Sequence, residues 1–177
     1  PMTHRDHNTS VTFITGHRAK DQALDSIDWK KIVSLDGTIA IYMGLYNLPH
    51  IARHLMKAGM SARTPVAVIE WGTLPRQKSC VAPLDQIARL TRSKKLQAPA
   101  MILVGEVVTL SKKLDWFENL PLFGQKIVVT RMKDKASELT SRLEALGAQT
   151  ISFPVIEIKK INKTALLDKA IATLHNY

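Results

Sequence analysis

An α/β fold follows from two observations in this 177-residue sequence. Short apolar runs of strand length alternate with segments whose apolar residues recur at helical spacing. Several of the runs also stop at glycine, as strands do where the chain must turn sharply. Aromatic residues make up 6% of the chain and the apolar set as a whole 45%, so the core has to be aliphatic.

Val11–Gly16 reads as a strand and Trp29–Leu35 as a short helix. Thr38–Gly44, TIAIYMG, is a second strand. Asn47 is placed to cap a helix with Leu48, Ile51, Ala52, Leu55 and Met56 on one face, stopped by Gly59. PVAVIE at 65–70 is a third strand and Lys78–Leu84 a fourth. Asp85–Leu96 reads as a helix with Ile87, Ala88 and Leu90 inward, and Ala100–Val108 as the last strand of this unit. NLPLFG at 119–124 has the composition of a linker. A fresh β-α-β pattern then begins: a strand at 127–131, a helix carrying Ala136, Leu139, Leu143 and Leu146 and ended by Gly147, and an extended segment over 149–158. Thr164 is a candidate cap for a final helix burying Leu167, Ala170, Ile171 and Leu174. One and a half β-α repeats are too few to close a sheet, so this second unit is expected to be incomplete. The opening loop, PMTHRDHNTSVTFITGH, enters a strand directly, and the chain is read as a share of a larger enzyme.

The net charge is +10, with 16 basic and 10 acidic residues before position 121 and 9 and 5 after it. A field spread this evenly favours polyanionic partners, nucleic acid or a small polycarboxylate alike. No aromatic-interleaved basic ridge is present. The lone Cys80 excludes an internal disulfide and has no base near it in sequence, so it reads as a small buried residue in a reducing cytoplasm. The longest apolar run, 100–108, contains Glu106 and is well short of the ~20 residues that span a bilayer. A soluble chain is expected.

Chemistry is expected where strands end, because ligands of α/β sheets bind beyond the carboxyl ends of strands. The candidates are Tyr42-Met43-Gly44, Glu70-Trp71-Gly72-Thr73 and Thr15-Gly16-His17. Thr3-His4-Arg5-Asp6 adds a guanidinium able to clamp a carboxylate, and Arg76-Gln77 offers a similar anion contact. On its four residues alone Thr3–Asp6 reads more simply as an ordinary solvated loop, and the alternative for Arg76-Gln77 is a hairpin rim. His50 and His54 stand four apart, but the zinc-protease pattern needs glutamate where Ile51 stands, and both are expected to face solvent. No metal site is expected.

The segments PMTHRDHNTSVTFITGH, IAIYMGL, TPVAVIEWGTLPRQK and ILVGEVVTLSKKLDWFE closely resemble, in order, the C-terminal subdomain of the tetrapyrrole methylase family, in its uroporphyrinogen-III C-methyltransferase branch. The resemblance covers about residues 1–118. It implies a mixed-sheet subdomain and transfer of methyl groups from S-adenosylmethionine to carbons of uroporphyrinogen III, giving precorrin-2 on the way to sirohaem and cobalamin. Residues 121–177, with the VVTR strand and FPVIEI, resemble the start of the uroporphyrinogen-III synthase family, less specifically. The implied division is a methylase part over 1–118, a linker over 119–124 and a partial synthase-like β-α-β unit over 125–177. Fusion makes chemical sense, because the product of the second activity is the substrate of the first.

By the same resemblance, Met43 and Gly72 contact S-adenosylmethionine, and Arg5 and His4 contact substrate carboxylates. The family's glycine-rich cofactor loop, its Gly-Gly-Asp segment and its acid–base residues lie upstream of Pro1, so no catalytic residue is expected within these 177 residues. On their own they are expected neither to turn over nor to bind the cofactor tightly. The parent is expected to be a cytoplasmic homodimer acting on a small polycarboxylate tetrapyrrole, without nucleic-acid or membrane partners. Two other readings compete: a non-catalytic anion- or nucleic-acid-binding α/β module, and a methylase of another precorrin. Salt-dependent nucleic-acid retention would favour the first, and substrate competition would reveal the second.

Overall fold

A computed structural model describes residues 2–17, 24–158 and 164–174. Five strands, β1 (Val11–Thr15), β2 (Thr38–Tyr42), β3 (Pro65–Glu70), β4 (Lys78–Pro83) and β5 (Ala100–Val104), form a mixed sheet in the order β1-β2-β5-β3-β4. β1 and β2 are parallel, and the other neighbours are antiparallel. Since β2 and β3 both run against β5, they point the same way. The carboxyl ends of β1, β2 and β3 therefore share one edge of the sheet with the beginnings of β4 and β5.

Side chains alternate between the faces of a strand. One face presents Ile41, Val66, Val68, Ile102 and Val104, all fully or almost fully buried. Three helices cover it: α1 (Trp29–Ser34), α2 (Leu48–Lys57) and α3 (Ile87–Ser93). Leu48, Ile51, Ala52 and Leu55 of α2 and Ile87 of α3 join this core, while Met56 is only partly buried. Asp28 starts α1 by accepting the Lys31 N–H at 3.0 Å, an ordinary N-cap.

Three expectations change. Asn47 makes no side-chain cap to α2; its amide instead donates to the Gly16 carbonyl at 2.8 Å, and Pro49 supplies the favourable first-turn residue. The helix expected over 85–96 is shorter, because Gln86 and Lys94 bound it. The last strand ends at Val104 rather than Val108. Gly105 adopts φ +136°, which turns the chain into a 3-10 helix over Glu106–Leu110. That turn lays Val107 and Val108 over Ala67 on the second face of the sheet, with Leu103 and Leu110 packed alongside.

The short helix α4 (Ser111–Leu114) leads into a second sheet of two parallel strands, β6 (Lys126–Val129) and β7 (Gln149–Ser152), joined by α5 (Lys133–Ala145). Residues 119–124 are folded into tight turns. Leu122 N–H donates to the Leu146 carbonyl at 2.9 Å, and Gly147 (φ +94°) lies so close to Leu120 and Phe123 that a side chain there would collide with them. Of the apolar stripe on α5, Ala136 is buried and Leu143 half-buried, whereas Leu139 and Leu146 stay exposed. The final helix α6 (Ala165–Ala172) is present, yet it buries none of the residues expected to face inward. Leu167, Ala170, Ile171 and Leu174 are exposed or nearly so, and Thr164 donates its hydroxyl to Asp168 instead of capping the backbone. A two-stranded sheet offers too little surface to cover a second helix. Among the described residues no helix is long and apolar enough to cross a membrane.

Candidate functional site

The shared edge at the carboxyl ends of β1, β2 and β3 opens into a hollow of about 940 Å³. Each expected strand end reaches it. His17 follows β1, Met43 follows β2, and Trp71, Gly72 and Thr73 follow β3. The floor is Tyr42, Ile69 and Met101, which lie side by side on one face because Tyr42 and Ile69 both pair with Met101. Met43 is 62% exposed and Tyr46 91%, so the hollow is open rather than sealed. Among the described residues no lysine or arginine lines it, and His17 is its one basic side chain.

Backbone strain concentrates here. Among the described residues, the non-glycine positions with positive φ are Asp36, Met43, Trp71, Thr73 and Lys95, and Met43 (φ +52°), Trp71 (φ +49°) and Thr73 (φ +67°) line the hollow. Such conformations cost of order 1–3 kcal/mol each and persist only where the surroundings impose them, which is commonest at ligand sites. Thr73 N–H donates to Gln77 Oε1 at 2.8 Å, and the Arg76 guanidinium lies 3.6 Å from the centre of the Trp71 ring.

The glycines divide into two kinds. Gly16 and Gly44 do not free space for a ligand; they let two strand ends touch. A Cβ on Gly16 would land on the Gly44 Cα, and one on Gly44 would meet Ile41 and Ile102 at 2.8 and 3.0 Å. Gly72 is exposed, and a Cβ there would approach Ile69 at 3.2 Å and Gln77 Oε1 at 3.8 Å.

His4 and Arg5 lie elsewhere. Asn8 donates to the Thr38 hydroxyl at 2.7 Å and to the Ser10 carbonyl at 2.9 Å, which fixes their loop at the start of β2. That is the opposite edge of the sheet from Met43, a strand length of roughly 13 Å away. Arg5 is exposed there, and His4 is half-buried with its ring 3.7 Å from the Asp6 carboxylate. The structure brings Met43 and Gly72 together and keeps His4 and Arg5 apart from them.

His50 is exposed as expected, but His54 stacks on Trp29 with ring centres 5.6 Å apart. Cys80 is buried beside the Thr91 hydroxyl at 3.6 Å. Among the described residues no three histidine, cysteine, aspartate or glutamate side chains are grouped to hold a metal ion. Sequence reasoning did not single out Tyr46, Leu74, Pro99 or Met101, all of which line the hollow. Met101 begins a strand, and only the sheet order reveals that this beginning lies beside the ends of β2 and β3.

The sheet order and the apolar hollow ringed by bent strand ends make this an α/β subdomain with one candidate ligand site. Residues 1–88 match the family described as Tetrapyrrole (Corrin/Porphyrin) Methylases, and this part of the chain belongs to a tetrapyrrole methylase domain. It is 37% identical over its whole length to the porphyrin biosynthesis protein HemD of Ruminiclostridium josui, covering 35% of that protein. It is 44% identical over 67% of its length to siroheme synthase of Azotobacter vinelandii, of which it covers 25%. It is also 42% identical over 63% of its length to uroporphyrinogen-III C-methyltransferase of Priestia megaterium, covering 46%. The chain thus spans between a quarter and about half of these relatives.

Two solved structures share the fold. One is the uroporphyrin-III C-methyl transferase from Thermus thermophilus complexed with S-adenyl homocysteine, with a TM-score of 0.54 at 24% identity over 62% of this chain and 48% of that one. The other is the cobalt precorrin-4 methyltransferase CbiF, with a TM-score of 0.54 at 21% identity over 61% of this chain and 45% of that one. The mixed sheet expected from the resemblance is therefore the observed fold.

Proposed function

We propose that this chain supplies one wall of an S-adenosylmethionine site in an enzyme that C-methylates uroporphyrinogen III to precorrin-2. The observation that carries the reading is the clustering of Met43, Trp71 and Thr73, all with positive φ, around one apolar hollow. The volume lies within the roughly 300–1,000 Å³ of small-molecule sites. The residues fit the cofactor's chemistry: a sulfonium cation and a nucleoside suit the aromatic and thioether surface of Tyr42, Tyr46, Trp71, Met43 and Met101.

When bound, S-adenosylmethionine would supply an electrophilic methyl group. This chain's part is positioning and exclusion of water: Tyr42, Ile69 and Met101 form an apolar floor, and the bent ends of β2 and β3 set where a ligand can lie. Arg5 and His4 are proposed as contacts to the substrate's carboxylates. Because they stand at the other edge of the sheet, they would hold the periphery of the macrocycle rather than the carbon that reacts. We further propose that residues 1–118 serve methylation, that 119–124 join the units, and that 125–177 begin a uroporphyrinogen-III synthase-like unit in a homodimeric parent. The full-length likeness to HemD supports that division.

The test is calorimetric titration of S-adenosylhomocysteine into the whole polypeptide, alongside methyl transfer to uroporphyrinogen III. Micromolar binding and precorrin-2 formation are expected, and the absence of both would overturn the reading. Met43→Gly sharpens the test. Glycine accepts positive φ freely, so stability should not fall. The lost thioether contact should weaken S-adenosylhomocysteine binding about tenfold, or ~1.4 kcal/mol. Unchanged affinity would remove Met43 from the site.

A further inference from the structure

The long turn between β3 and β4 is closed by its own hydrogen bonds and tied by one more to a residue far along the chain. Leu74 N–H reaches the Trp71 carbonyl at 3.1 Å and Gln77 N–H the Leu74 carbonyl at 2.8 Å, but the N–H of Thr73, turned by its positive φ, finds a side chain instead: Gln77 Oε1 at 2.8 Å. The other end of the same amide, Gln77 Nε2, donates to Glu118 Oε1 at 2.9 Å. A carboxylate can only accept here and a backbone N–H can only donate, so this orientation of the amide satisfies both partners and the reverse satisfies neither. Gln77 and Glu118 are 41 residues apart and both half-buried.

The turn also has a second side. Thr73 and Leu74 line the hollow, and with Arg76 they also line a separate groove of about 520 Å³ whose opposite wall is Glu144, Gln149 and Thr150. Phe117, next to Glu118, lies in that groove and meets the Phe123 ring edge-on at 5.6 Å. The chain that carries Glu118 therefore runs straight into the second unit.

We infer that Gln77 is a positioning residue, its amide bridging the Thr73 backbone to Glu118 so that one wall of the hollow is held by the segment entering the second unit. The consequence for cofactor affinity rests on the functional reading above; the bridge itself does not. A charge swap separates this role from general packing. Q77E keeps an acceptor for Thr73 but sets a carboxylate against Glu118. E118Q alone keeps an acceptor for the Gln77 amide and should be nearly silent. Combined with Q77E, it restores a donor to face the new carboxylate.

In the whole polypeptide, amide exchange at Thr73 is expected to accelerate about tenfold in Q77A. Q77E should show a similar or smaller gain, and Q77E/E118Q should return to within twofold of the parent. S-adenosylhomocysteine affinity should follow the same order. Thr73 exchange unchanged in Q77A, or a Q77E defect that E118Q does not relieve, would overturn the inference. Should Q77A fail to fold, the Q77E and Q77E/E118Q pair decides alone. Exchange that behaves as stated in a protein that does not bind S-adenosylhomocysteine supports the bridge and overturns the functional reading.

Discussion

Gly16→Ala is expected to destabilise the protein by about 3 kcal/mol, at the upper end of the range for inserting a methyl group into a packed interior. The new Cβ would coincide with the Gly44 backbone, and neither partner can rotate away as a side chain would. Gly16 N–H is bonded to the Tyr42 carbonyl at 2.7 Å and its own carbonyl accepts from Asn47 at 2.8 Å, so the segment cannot shift without losing both. Urea denaturation followed by circular dichroism should show a lower midpoint with an unchanged slope. A loss below about 0.5 kcal/mol, the size of an ordinary surface change, would mean that the two strand ends are not in contact.

Leu55→Ala should cost about 3 kcal/mol, within the 2–5 kcal/mol usual for buried leucine truncation. Leu55 is completely buried on α2 and belongs to the core between the sheet and its helices. Leu167→Ala on α6 is the control. That leucine is 59% exposed, and its removal should stay within about 0.5 kcal/mol. Comparable losses at the two positions would show that α6 is packed rather than bare.

The contrast between Leu55 and Leu167 also shows what periodicity reveals. Helical spacing of apolar residues places both on a stripe, and both stripes are helices. Whether a stripe is buried depends on what lies opposite, which spacing along one segment does not encode. The five strands were legible because their apolar runs are bounded by glycine, proline and polar residues. The end of β5 was not, since Gly105 sits inside an unbroken apolar run and only its φ of +136° breaks the strand. In the same way, the strand-end rule located Met43 and Gly72 beside one hollow, because β2 and β3 point in the same direction. The order of the chain already puts His4 and Arg5 before β1, whose far end reaches the hollow, but the strand-end rule was not applied to them. The hydrogen bonds from Asn8 fix that placement. Gly16 and Gly44 were located correctly as strand ends, but their contact with each other required the fold.

Met43, Trp71 and Thr73 are held in shapes their own chemistry disfavours. Part of the constraint is local, from the Gln77 side chain on the Thr73 N–H and the Arg76 guanidinium on the Trp71 ring, and part comes through the sheet, where the Trp71 N–H donates to the Pro99 carbonyl at 3.2 Å beside β5. On the cofactor reading proposed above, anything that slackens β2, β3 or the turn after β3 slightly would blunt recognition well before the helices detach. Evolution could accordingly tune affinity in such a protein from residues that never meet the ligand.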